Sequence, residues 1–131
     1  MIRALVSLPG AEGPDPDLDV EDVIGALARI HARWLRAHPS FPKLYRSGVH
    51  YSPEIDTEDW LTPAEVLKSG VGDCEDLTMW RVAELLAAGV RAAPRCIGRR
   101  SPLGGLTQHV FVLLPTGRTE DPSLLLMPKE G

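Results

Sequence analysis

At 131 residues the chain has the length of one domain. Its 44% apolar and 24% charged residues are the balance of a chain that folds around a core, not of a disordered or fibrous one. A formal net charge of -4 argues against a nucleic-acid surface, the basic residues at Arg91, Arg95, Arg99 and Arg100 being a weak counter-signal. Two cysteines without CxxC or zinc-finger spacing exclude a disulfide framework, and no run approaches the roughly 20 apolar residues of a membrane span. The opening MIRALVSLPG has too short an apolar run for a signal peptide. A chain kept in the reducing cytoplasm is the expectation.

In chain order, residues 1–8 read as a short strand and Pro9 to Asp17 as a loop rich in turn residues. A helix follows, with Asp19 as N-cap and Val20, Val23, Ile24, Leu27, Ile30, Trp34 and Leu35 recurring at helical spacing until Pro39 stops it. His31 and His38 on this helix read as surface or hydrogen-bonded side chains. Residues 40–61 keep no period and form an ordered loop holding most of the aromatic residues. Thr62 before Pro63 is an N-cap and first position of a short helix through Lys68, closed by Ser69 and Gly70. A longer helix opens at Asp73, with Cys74 first inside it and Gly89 just past its end; its apolar residues spread around the circumference, the mark of a central helix. Pro94–Arg100, Gln108–Leu114 and Arg118–Leu126 read as strands. Helices followed by strands indicate an α+β fold with an antiparallel sheet.

The stretch GVGDCEDLTMW, which begins at Gly70, sets a chemical question, because Asp73, Glu75 and Asp76 crowd Cys74 and negative neighbours oppose a thiolate. A helix N-terminus works the other way: its free N–H groups and positive dipole end lower a thiol pKa when a basic group joins them, and the same N–H groups suit an oxyanion. His109, polar at the start of an apolar strand, is the partner to test. If Pro115, Thr116 and Gly117 form a three-residue loop with Gly117 left-handed, Leu114 faces Arg118 and Phe111 faces Asp121. His109 and Asp121 then share one sheet face as diagonal neighbours. A two-residue loop would put them on opposite faces.

GDCEDLTMWRVAELLAAGVRAAPRCIG, then HVFVLLPTG and EDPS, resembles the transglutaminase-like superfamily of papain-like cysteine enzymes. That family orders a cysteine opening the central helix, a G-(I/V)-x-A-R type segment, a histidine beginning a strand and an aspartate in a DP on the next strand. The resemblance covers residues 60–123 of a single domain spanning 1–131, and is strongest to bacterial and phage transglutaminase-like cysteine proteinases. It implies a papain-like core, a central helix packed on a small antiparallel sheet, and a catalytic triad of Cys74, His109 and Asp121. The tryptophan that often precedes the family's DP is replaced by Thr119-Glu120.

The activity implied is a hydrolase: the Cys74 thiol nucleophile forms a thioester with an amide of a protein or peptide, His109 moves the proton and Asp121 orients the imidazole. A glutamine–amine crosslinking transglutaminase, and a non-catalytic binding or assembly protein on the same fold, are the alternatives. A strand-rich domain of 131 residues leaves little room for a deep specificity pocket, so a protein partner completing the site is expected, and association with a virion goes with the resemblance. Tyr51 and Trp60 are the candidate second oxyanion donors. No cofactor is required, although calcium bound by Asp73 and Glu75 is implied by the related proteinases. Those two carboxylates supply only part of the roughly six to eight oxygens calcium takes, and helix capping is the other reading of the acids. Asp76 is also a candidate to pair with an arginine inside the fold. Cys96 reads as a small buried hydrophobe, and a zinc site from Cys74, Cys96 and His109 lacks a fourth ligand.

Overall fold

The computed structural model describes residues 16–53, 61–100 and 106–128, with only the backbone described at 16–19, 99–100 and 106–108. The expected strand over residues 1–8 and Trp60 lie outside these segments. The described chain is mixed helix and strand, helices first and an antiparallel sheet after, which is an α+β arrangement.

Helix α1 runs Pro16–Ala37. It begins three residues before the expected Asp19 cap, at a proline whose fixed φ and missing N–H cost nothing in a first helical turn. Its buried stripe is Val20, Ile24, Leu27, Ala28, His31 and Ala32. Ile30, expected in that stripe, is 36% exposed, while the small Ala28 and Ala32 take the close approach. His31 corrects the expectation more sharply. It is buried in this face, and its Nδ1 has no hydrogen-bond partner.

After a 3-10 turn at Leu44–Arg46, strand β1 (His50–Tyr51) pairs in parallel with β2 (Val71–Gly72). Between them lies α2, Pro63–Ser69. It has a full capping box: the Thr62 hydroxyl accepts the Glu65 N–H, and the Glu65 carboxylate accepts the Thr62 N–H. Gly70 ends it at φ 80.

Helix α3, Cys74–Ala87, starts directly after β2. Val90 N–H bonds to Leu85 O and Gly89 N–H to Leu86 O, with Gly89 at φ 84, so a Schellman motif ends the helix as its glycine led one to expect. The helix is central because it serves two apolar clusters. Met79, Val82 and Ala83 pack with α1, Cys96, Val110 and Val112, while Leu77 and Trp80 pack with Leu44, Val49 and Val66. Cys96 is thus a buried core residue, as read from the sequence.

The sheet runs β3 (Ala93–Arg100), β4 (Leu106–Leu113) and β5 (Thr119–Glu120), all antiparallel. The expected third strand through Leu126 is cut short. Pro122 cannot donate to a ladder and is suited to open a helix, so Asp121 becomes the N-cap of α4, Pro122–Leu125.

Candidate active site

Cys74 owes its position to its neighbours on both sides. Gly72 passes so close to α3 that a Cβ there would lie 3.0 Å from Leu77 Cδ2 and 3.2 Å from Val66 Cγ1. Asp73 then caps the helix: its Oδ1 accepts the Asp76 N–H at 2.9 Å, and Asp76 Oδ2 accepts the Asp73 N–H at 3.3 Å. Asp76 Oδ1 also accepts the Leu61 N–H at 2.9 Å, tying the start of α2 to the start of α3. Asp76 is therefore buried on main-chain donors. Cys74 is the first helical residue, half-buried.

His109 and Asp121 are brought together by the hairpin. Leu114 N–H bonds to Arg118 O at 2.8 Å, Gly117 sits at φ 88, and Val112 pairs with Glu120. This is the three-residue loop, and its register sets Phe111 opposite Asp121. The His109 ring stacks beside Phe111 on the same face, and Nε2 lies 2.6 Å from Asp121 Oδ2. An ionised carboxylate only accepts, so this bond places the proton on Nε2 and leaves the Nδ1 lone pair available. The second carboxylate oxygen, Oδ1, accepts the Ser123 N–H at 3.1 Å.

The thiol meets β4 at Val110, the residue after His109. Cys96 opposite Val110 turns its N–H outward to Glu21, so this is a pair without mutual hydrogen bonds, and Val110 presents its N–H and C=O toward β5. The residue that would face it there is Pro122, which has no N–H and has left the sheet. α3 fills the gap. The Thr78 hydroxyl donates to Val110 O at 3.2 Å, and the Val110 N–H is near enough to Cys74 to favour its thiolate. Among the described residues no hydrogen bond joins Cys74 to His109 directly; the thiol lies by Val110, the next residue along the strand, and feels the charge of Asp121.

Electrostatics answer the question of the acids. Burial is the main reason the Cys74 thiol is pushed up to about 12; the Val110 N–H opposes this, and the charges of Asp73, Glu75 and Asp121 reinforce it. The resting group is a neutral thiol. Tyr51, one of the two candidate oxyanion donors, is delivered by β1; the N–H groups of His50 and of Ser52, just past the strand, bond to Gly70 O and Gly72 O shortly before the cap. Its phenol is also shifted upward, by burial first, then by Cys74 when that is a thiolate, and by the Asp73 and Asp121 carboxylates. Tyr51 therefore stands within electrostatic reach of the thiol.

Asp73 and Glu75, the calcium candidates, stand on either side of Cys74 at the start of α3. Asp73 is committed to the α3 N-cap, and no three His, Cys, Asp or Glu groups converge into a metal-holding set among the described residues. The same holds for Cys74, Cys96 and His109 as zinc ligands.

Comparison with family models, with curated proteins and with solved structures found no match. No helix among the described residues is long and apolar enough to cross a membrane.

Sequence reasoning missed Thr78, Arg81 and Glu120. Cys74, Thr78 and Arg81 stand at i, i+4 and i+7, one face of α3. All three address the open edge of the sheet: sulfur and hydroxyl at Val110, guanidinium at Glu120. The i, i+4, i+7 spacing of these side chains along α3 was the available signal.

Proposed function

We propose that the chain is a cysteine-dependent acyl-transfer enzyme on a papain-like, transglutaminase-like core, hydrolysing amide bonds of a protein or peptide in the cytoplasm. The observation that carries this reading is the 2.6 Å bond between His109 Nε2 and Asp121 Oδ2, with His109 one residue along the strand from Val110, whose N–H favours the Cys74 thiolate. The agreement in chain order with the transglutaminase-like cysteine enzymes adds to it.

Cys74 is the nucleophile. Because its thiol is neutral at rest, its proton leaves during attack: His109 Nδ1 accepts it as sulfur bonds to the carbonyl carbon. Asp121 stabilises the imidazolium so formed and keeps the ring from turning. The Cys74 N–H at the start of α3 and the Tyr51 hydroxyl are the donors for the oxyanion. His109 returns the proton to the leaving amine and the C–N bond breaks. Water, deprotonated by His109, then cleaves the thioester to an acid and the free thiol. A primary amine in place of water would give crosslinking by the same residues. A partner protein, in a virion or the host cell, would complete the substrate cleft.

A non-catalytic binding or assembly role is the second reading, favoured by the raised thiol and the missing direct bond between Cys74 and His109. The test is to incubate the purified chain with a glutamine-containing peptide, with and without a small primary amine. Cleavage or ammonia release without amine incorporation is expected. Cys74→Ala should abolish it, and Asp121→Asn should lower kcat by roughly 10²–10⁴-fold. Amine incorporation would replace hydrolysis by transfer; a Cys74→Ala chain that keeps its biological function would remove the enzyme reading.

A further inference from the structure

The segment that delivers Asp121 is short: beyond it the buried Pro122 and Ser123 and the bond from the Tyr51 N–H to Leu126 O hold the chain, and before it β5 does. β5 contributes two residues to the sheet, and the chain turns away immediately afterwards into a four-residue helix. Asp121 sits at that joint. Successive strand residues point to opposite faces, so Glu120 points toward α3 while Asp121 points toward His109.

Glu120 is gripped. Arg81 Nε lies 2.6 Å from Glu120 Oε2, and Arg81 Nη2 lies 3.4 Å from Oε1, a fork on a carboxylate. The Tyr45 hydroxyl donates to the same Oε2, and the guanidinium lies 4.9 Å over the Tyr45 ring. The third guanidinium nitrogen reaches Glu84, whose other oxygen accepts the buried Leu44 N–H. With side chains only 23% and 19% exposed, the Arg81–Glu120 pair is withdrawn from most of the screening that makes surface pairs weak. Burial opposes ionisation of Glu120, but the bonds from Arg81 and Tyr45 outweigh it and hold its carboxyl below the usual range.

We propose that the Arg81–Glu120 pair is the positioning device of the site, fixing the β5–α4 joint against α3 so that the Asp121 carboxylate stays on His109. Arg81 stands two helical turns from Cys74, so one rigid helix carries both the nucleophile and the anchor of the third triad member. The inference rests on the triad reading and deepens it. Neither Arg81 nor Glu120 touches the substrate; both act through Asp121.

The experiment uses histidine-labelled protein and NMR of the imidazole nitrogens, with His109 assigned by its loss in His109→Ala. The wild-type chain is expected to show His109 as the Nε2–H tautomer with a slowly exchanging proton, and Asp121→Asn to remove that signal. Glu120→Gln and Arg81→Lys, first shown by thermal melting to be folded, are expected to mix the tautomers, speed exchange of that proton and lower kcat about tenfold with KM unchanged. A wild-type imidazole spectrum in both variants would overturn the proposal. If either fails to fold, Tyr45→Phe removes one of the bonds on Glu120 with the ring kept; a partial loss of the signal is expected, and no change would overturn the proposal. A wild-type chain lacking any signal that depends on Asp121 would instead sink the triad reading, and the positioning role with it.

Discussion

Asp121 divides its carboxylate between two tasks, Oδ2 on His109 and Oδ1 on the Ser123 N–H that starts α4. A single residue thus both ends the strand and orients the imidazole, and the Asp-Pro pair is the local sequence that makes both possible. His109, Asp121 and Gly117 were legible because hairpin register follows from loop length, a short-range property. His31 was not. Its burial depends on α1 meeting the rest of the fold, which no window of sequence contains. Burial keeps its imidazole below the ordinary value of 6.5. The unfolded chain therefore takes up the proton first, and stability is lost as pH falls below about 6.5. His31→Leu should remove that loss: its melting temperature should fall less than the wild type's between about pH 7 and pH 5. Parallel declines would show that His31 is not the group responsible.

At the scale of elements, α2 and α3 could be read nearly to the residue, because their caps are written within three or four positions of one another. The third strand could not. Arg118–Leu126 has a strand-like composition, but Pro122 can neither donate to β4 nor fit a ladder, and the helix start prevails over propensity. The same event frees the Val110 edge for Cys74 and Thr78, so the site exists because the strand stops. The start of α3 depends equally on the close passage of β2 at Gly72. Gly72→Ala would push a methyl against Leu77, Val66 and Asp76 Cβ, the last at 3.3 Å. We expect a loss of about 1–3 kcal/mol in denaturant unfolding, without loss of the folded state. A variant as stable as the parent would mean that β2 and α3 are not as tightly apposed as described.

At the scale of the whole molecule, α3 is the shared wall of two apolar clusters and carries Cys74 at one end. Its C-terminal carbonyls at Leu86 and Ala87 are taken by Arg36 of α1, so both ends of the helix are tied down. The α+β order and the central place of this helix were legible from its apolar circumference. The Arg81–Glu120 link, between residues 39 apart in sequence, was not, because an arginine and a glutamate on separate elements look like two solvated charges until the fold joins them. Leu124, Leu125 and Met127 lie exposed beside Asp121, so apolar surface flanks the candidate triad on the α4 side.

The account stands or falls on whether Cys74, His109 and Asp121 act together. The most direct measurement is the rate of iodoacetamide modification at Cys74 against pH, read by mass spectrometry, with buried Cys96 as internal control and His109→Ala alongside. Cooperation predicts that at about pH 7 Cys74 reacts well ahead of Cys96 and loses that lead without His109. A Cys74 rate that climbs only toward its resting pKa of about 12, equally in wild type and His109→Ala, would contradict it and leave the carboxylates in control of the thiol.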